Sequence, residues 1–289
     1  AKQQLALELG GKDMQVRLVN SALVSIDIDG YKVNNPIGFQ GQEVLVQLYT
    51  AFAPLIHIGA LERTAQELDL DLLAVAAEPF AVARSIIGDD PNANLSAILM
   101  DIGGGTTDIA VIDEGGVQGT KMFGIGGRAF TRGIERDLGV DYADAEDYKI
   151  RLGARQLPEG KIPAVEAALG KTIDVWINGV ELALSEFTKL DSLPHRLLLC
   201  GGGSSLDMLM DELHASDWHK QLAFTRQLTV EHIHPEQVVG ICNQTDQPLD
   251  HTFVTAMGLL RVGLDTLQQA TSPKPASSVK ERLDKMLRT

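Results

Sequence analysis

The chain has 289 residues, 44% hydrophobic and 5% aromatic, so it can bury one large or two medium cores built of aliphatic side chains. Its formal net charge of −14 excludes a broad nucleic-acid surface and a general attraction to anionic lipid, leaving room only for a local basic segment. No run of about 18 uncharged apolar residues occurs, and the two cysteines, Cys200 and Cys242, lack metal-ligand spacing and read as buried free thiols of a reducing compartment.

Residue 1 is Ala and patterned sequence begins at once, which leads us to expect a fragment of a longer chain. Residues 14–19 and 23–28 read as two strands, followed by a turn at Asp29-Gly30. Residues 34–38 read as loop and 44–51 as a further strand, so residues 1–47 form a small α/β piece. Residues 54–68 carry helical spacing, 70–76 read as a strand, and 79–87 as a short apolar helix with Pro79 in its first turn. Two apolar strands, 98–100 and 109–112, then flank a tight glycine turn, and 117–123 completes a meander. Helices are expected at 128–138, 142–152 and 165–190, with loop between 153 and 164. A buried-type strand at 195–200 runs into a second glycine turn and a helix at 206–213. An amphipathic helix covers 251–267, residues 270–278 have linker composition, and 279–289 read as a short basic helix.

The first glycine turn is the most informative stretch. Gly103, Gly104 and Gly105 remove every Cβ from the bend, so an anion can approach bare backbone N–H groups. Thr106 and Thr107 add hydroxyl donors, while Asp101 and Asp108 stand at the strand ends, where they can hold the waters of a hydrated Mg²⁺. Gly126 and Gly127 open a helix and offer a second phosphate cradle through its N-terminal N–H groups. Gly201, Gly202, Gly203 and Ser204 follow a buried strand, where bare backbone lets a flat base or ribose lie close.

Taken in this order, the segments resemble the actin-like ATPase superfamily. Residues 101–108 are similar to its second phosphate motif, 198–206 to its adenosine motif, and 77–83 (Ala-Glu-Pro-Phe-Ala-Val-Ala) to its connecting segment. The Ala-Glu-x-x-Lys at 145–149 resembles the segment that contacts ribose and adenine in bacterial members, which assigns Glu146 and Lys149 to the nucleoside. Within the superfamily the likeness is strongest to the bacterial division protein FtsA, through residues 35–41, 124–131 and 255–260 and the Pro/Ser linker with its basic helix. The superfamily's first phosphate motif, Asp-x-Gly-Thr/Ser, is not found: Asp27 and Gly30 lack a following hydroxyl turn. The sequence therefore presents half a nucleotide clamp, for which weak ATP binding is expected.

The resemblance implies an α/β, actin-like (ribonuclease H-like) fold of mixed sheets with flanking helices. It implies a partial first lobe and a complete second lobe: the small FtsA-type piece at 1–47, a nucleotide lobe at 48–269 and a helical insertion at about 141–192. It further implies ATP and Mg²⁺ as ligands, with Asp101 and Asp108 organising the metal and Glu78 positioning a water. Partners would be an FtsZ-like protein, further copies of the chain as a filament or dimer, and the inner face of the cytoplasmic membrane at the division site. Val279, Leu283, Met286 and Leu287 would touch the lipid. Activity would be at most slow ATP hydrolysis. Three other roles are compatible with the same motifs: a PilM-like type IV pilus assembly scaffold, a degenerate non-hydrolysing relative, or a small-molecule kinase.

Overall fold

The computed structural model describes residues 15–33, 36–87, 95–215 and 217–271. The linker and tail expected at 270–278 and 279–289, Val279, Leu283, Met286 and Leu287 included, therefore lie outside the described residues, apart from Ala270 and Thr271 at the end of the last helix.

The first elements among the described residues form a three-stranded antiparallel sheet of order β2-β1-β3: β1 (Val16–Ile28), β2 (Tyr31–Lys32) and β3 (Val44–Pro54). The two strands read at 14–19 and 23–28 are one. Register shifts near Leu18/Asn20 and Leu23/Ser25 absorb the break in alternation that the sequence shows between them. The expected turn is present, with Asp29 and Gly30 both at positive φ (51° and 82°), the geometry that matches strand twist in a two-residue hairpin. Strand β3 crosses residue 47, where the small α/β piece was expected to end.

Helix α1 (Leu55–Glu67) follows, then an extended segment and α2 (Glu78–Ile87). The strand expected at 70–76 does not form. A side chain replaces the ladder: Asn20 on β1 accepts from the Ala77 N–H (2.8 Å) and donates to the Val75 carbonyl (3.4 Å). The apolar residues that suggested a strand, Leu70, Leu72 and Leu73, stay exposed.

The main sheet has order β6-β5-β4-β7-β8, built from β4 (Ala97–Ile102), β5 (Thr107–Asp113), β6 (Gly116–Phe123), β7 (Arg196–Cys200) and β8 (Thr229–His232). The meander β4-β5-β6 is antiparallel, whereas β4-β7 and β7-β8 are parallel. The crossover from the meander to β7 carries α3 (Gly127–Leu138), α4 (Tyr142–Gly153) and α5 (Ile162–Ser185). After β7 come a 3-10 turn at Gly202–Ser205, α6 (Asp207–Ala215), β8, a second 3-10 turn at His251–Phe253, and α7 (Val254–Thr271). Strand β8 escaped the sequence reading because Thr-Val-Glu-His is a short edge strand with one buried residue, Val230.

Every residue of β4 is buried, since both faces of the sheet are covered. Ile98, Met100 and Ile102 face one core with Phe130 and Ile134 of α3 and Val165, Leu169, Ile173 and Trp176 of α5. Ala97 and Leu99 face the other, with Val82 and Ala83 of α2 and Val254 and Met257 of α7. Full burial of a Val, Leu, Ile, Phe or Met side chain among these is worth about 1.5–3 kcal/mol. As the composition implies, both cores are mainly aliphatic, with Trp176 and Phe130 the largest fully buried residues. Cys200 is buried as expected; Cys242 is exposed, because the segment around it is largely exposed loop. Among the described residues, no helix is long and apolar enough to cross a membrane.

Candidate functional site

The register of the sheet creates the site. Asp101, the fifth residue of β4, lies directly opposite Asp108, the second residue of β5. It also pairs in register with Cys200, the last residue of the parallel neighbour β7. Both glycine turns therefore leave the same end of the sheet, side by side. They touch: a Cβ on Gly203 would meet Ile102 Cγ2 at 2.5 Å, and one on Gly201 would meet Asp101 Oδ1 at 2.2 Å. Gly201 has φ 83° and ψ 156°, a region closed to residues with a side chain. Glycine is required here by close approach and by backbone angle alike.

The turn after β4 is joined to α3. Gly103 N–H closes it by donating to the Thr106 carbonyl (2.9 Å). The N–H groups of Gly127 and Arg128 donate to the carbonyls of Gly103 (2.9 Å) and Gly104 (2.7 Å). Two N–H groups expected to cradle a phosphate at this helix start are thus engaged by the turn. Gly126 and Gly127 brace the turn instead, and a Cβ on Gly126 would strike Gly103 O at 2.5 Å. Among the described residues, no carbonyl engages the N–H groups of Gly104 and Gly105 at the tip.

The threonines divide. Thr106 donates to Asp108 Oδ2 (3.0 Å) beside the cleft. Thr107 is fully buried; its hydroxyl donates to Ile125 O (2.8 Å) and accepts from Trp176 Nε1 (2.9 Å). Strand alternation sends Thr107 and Asp108 to opposite faces, so the Thr107 hydroxyl secures the core. Ser204 likewise turns inward, donating to Gly201 O (2.7 Å).

Three carboxylates converge on the face of the sheet covered by α2 and α7. Burial raises the pKa of Asp101, only partly offset by the hydroxyl of Thr255 on α7, which donates to its Oδ2 at 2.5 Å. Burial raises Asp108 too, against the Thr106 hydrogen bond and with help from the charge of Asp101. Glu78, at the start of α2, is raised by loss of solvent and then by Asp101 and Asp108. Burial and the neighbouring Asp101 push the Cys200 thiol well up, so it remains protonated. Burial is the largest cause of all three shifts, and neighbouring carboxylates add to those of Glu78 and Asp108; a cation placed among the three would favour their charged forms.

On the other side of the turns, α4 builds a cavity of about 330 Å³, lined by Gly127, Lys149, Ile150, Gly153, Gly202 and Gly203 among others. Lys149, Ile150 and Gly153 share one helical stripe. Gly153 brings α4 close enough that a Cβ would lie 3.1 Å from Ser205 O. Lys149 donates to Glu146 (2.8 Å), Thr131 Oγ1 (2.8 Å) and Gly127 O (3.1 Å), and Thr131 also donates to Glu146. Burial of Glu146 is outweighed by these two donors, so its pKa is lowered. Beneath the second turn, His232 Nε2 donates to Ser204 O (2.9 Å), and His251 bonds Ser205 Oγ (3.0 Å). The two imidazoles stack at 4.0 Å.

The cavity has room for a small ligand. Volumes from about 300 Å³ suit small ligands, and Gly202 leaves open space where any side chain would intrude. Of the residues singled out in the sequence, the structure places Glu78, Asp101, Asp108, Gly103–Gly105, Thr106, Glu146, Lys149 and Gly201–Gly203 around the two turns. Sequence reasoning missed three contributors: Thr255, Thr131 and Arg128. Arg128 follows Gly127 on α3 and lays its guanidinium over the first turn; a Cβ on Gly105 would meet its Nη2 at 2.2 Å and one on Gly104 its Nη1 at 3.4 Å. The FtsA-like segments at 124–131 and 255–260 contain all three, but give no sign of the roles.

Mixed sheet, flanking helices and paired turns define an actin-like α/β protein. A chain of a PilM–PilN type IV pilus biogenesis complex shares this fold, with a TM-score of 0.66 at 20% identity, over 91% of this chain and 71% of that one. The family model of the cell division protein FtsA matches residues 98–258, and the chain belongs to that family. It is 26% identical to FtsA of Pseudomonas aeruginosa over 280 residues (87% of this chain, 64% of the relative). It is also 26% identical to FtsA of Escherichia coli K12 over 264 residues (81% and 59%). The chain thus spans less than two thirds of the length of these relatives.

Proposed function

We infer that the cleft binds an adenine nucleotide with Mg²⁺, and that nucleotide sets the conformation of an FtsA-like protein linking an FtsZ-like partner to the inner face of the cell membrane. One observation carries the nucleotide reading: two glycine turns leave adjacent strand ends in contact, with opposed carboxylates on one side and a ligand-sized cavity on the other. In this reading Gly202 and Gly203 flank the adenosine, with Glu146 and Lys149 beside it. The free N–H groups of Gly104 and Gly105, with Thr106, take the phosphates. Asp101 and Asp108 orient the waters of the metal, whose charge offsets theirs. Glu78, at the cleft rim with a raised pKa, holds a water by hydrogen bonding; any hydrolysis is slow. Self-assembly and the membrane tail follow from the family and the sequence of residues 279–289.

Titration calorimetry with Mg·ATP tests the core of this reading. With one phosphate turn among the described residues, weak binding is expected. Gly202→Leu fills the cavity from an open position and should remove binding without unfolding the chain. Equal heats from parent and variant would refute the cleft as the site. The PilM-type reading rests on a superposition covering 91% of the chain. It predicts capture of a short peptide from a membrane partner and no co-sedimentation with FtsZ-like polymers.

A further inference from the structure

We propose that Arg128 reads the terminal phosphate of a nucleoside triphosphate and gives the cleft its preference for triphosphate over diphosphate, an inference that rests on the nucleotide reading above. Arg128 is held at its base, because its own N–H donates to Gly104 O at 2.7 Å. Its guanidinium is seated at the tip of the first turn, in the volume that side chains at 104 and 105 would fill. The bare tip thus does two things: it exposes N–H groups and makes room for a planar cation beside them.

The surroundings make the charge consequential. Glu78, Asp101 and Asp108 give this end of the cleft an acidic character that disfavours each added phosphate. Lys149, a second cation beside the turn, is directed toward Glu146, Thr131 and Gly127 O. Arg128 is exposed and, among the described residues, pairs with no carboxylate, so its donors are available. A guanidinium presents a rigid fork that matches phosphate oxygens two at a time, which an ammonium cannot do.

Contact at an exposed site is expected to change affinity about tenfold. The test compares dissociation constants for Mg·ATP and Mg·ADP, measured by calorimetry at millimolar ligand, in the parent chain, Arg128→Gln and Arg128→Lys. Thermal unfolding confirms that each variant folds. The parent should prefer ATP. Arg128→Gln should lose that preference through weaker ATP binding with ADP affinity unchanged, and Arg128→Lys should regain part of it. An unchanged ATP-to-ADP ratio in Arg128→Gln, or an equal loss for both nucleotides, overturns the role of Arg128 and leaves the cleft standing. Binding of neither nucleotide by the parent chain overturns the cleft and this role together.

Discussion

Gly201 is the position where the contact between the two turns is most exposed to test. In Gly201→Ala the new methyl would lie 2.2 Å from Asp101 Oδ1 and 2.7 Å from Ile102 O; the Ile102 carbonyl is backbone of β4, and the Asp101 carboxylate is held by the Thr255 hydroxyl. Backbone angles of φ 83° and ψ 156° add a conformational penalty of about 1–3 kcal/mol for a residue with a side chain. Overpacking against β4 adds roughly 1–3 kcal/mol more. A total near 4 kcal/mol should lower Tm by about 8–16 °C in a chain of this size. The neighbouring Gly202→Ala is the internal control, since its methyl meets nothing within 4 Å and its φ is not positive. Restricting the unfolded chain there should be neutral or stabilise by about 0.4–1 kcal/mol. Scanning calorimetry on both variants reads the difference directly. Indistinguishable melting of the two would show that the turns do not press on one another.

The remaining expectations follow from the acids, the buried hydroxyl and the histidine stack. Asp108→Asn should raise Tm at neutral pH. A carboxylate whose folded pKa is raised destabilises above its ordinary value, so the gain should vanish as pH falls below about 3.8; urea melts across that range check the sign. Thr107→Val strands Ile125 O and Trp176 Nε1, and should cost roughly 2–4 kcal/mol. Denaturation followed by tryptophan fluorescence should show this as a lower midpoint with unchanged slope. The pKa of His251 is lowered by burial and by His232, so it contributes stability that is present above 6.5 and lost as pH falls through the lowered value. His251→Gln should flatten that decline, and thermal melts at pH 7.5 and pH 5.5 that fall equally in parent and variant would contradict it.

Residues 98–112 were the most legible stretch of the fold, because two buried apolar strands on either side of a bare turn leave a distinct composition on the chain. The pairing of Asp101 with Asp108 was legible too, since a tight hairpin fixes its own register. Period-two alternation alone implies that Thr107 faces away from Asp108, which a count of hydroxyl donors in the turn does not register. Thr255 and Arg128 were out of reach for a different reason. Thr255 meets Asp101 across 154 residues of chain, through the packing of α7 on α2. Arg128 is one of many exposed arginines until the turn is placed beneath it. Residues 70–76 show the converse: their apolar content suggested a strand, but Asn20 on β1 met the backbone with a side chain instead.

The bonds from Gly127 and Arg128 to the Gly103 and Gly104 carbonyls have a mechanical meaning. They serve as the N-cap of α3, whose Gly126 has no side chain to do so. Neither peptide of the bend can rotate without uncapping the helix, so bend and helix travel as one stiff body. A twelve-residue helix is about 18 Å long, so a small tilt where an anion would rest would be levered into a larger displacement at Leu138, at the other end of the helix, where it packs against the core.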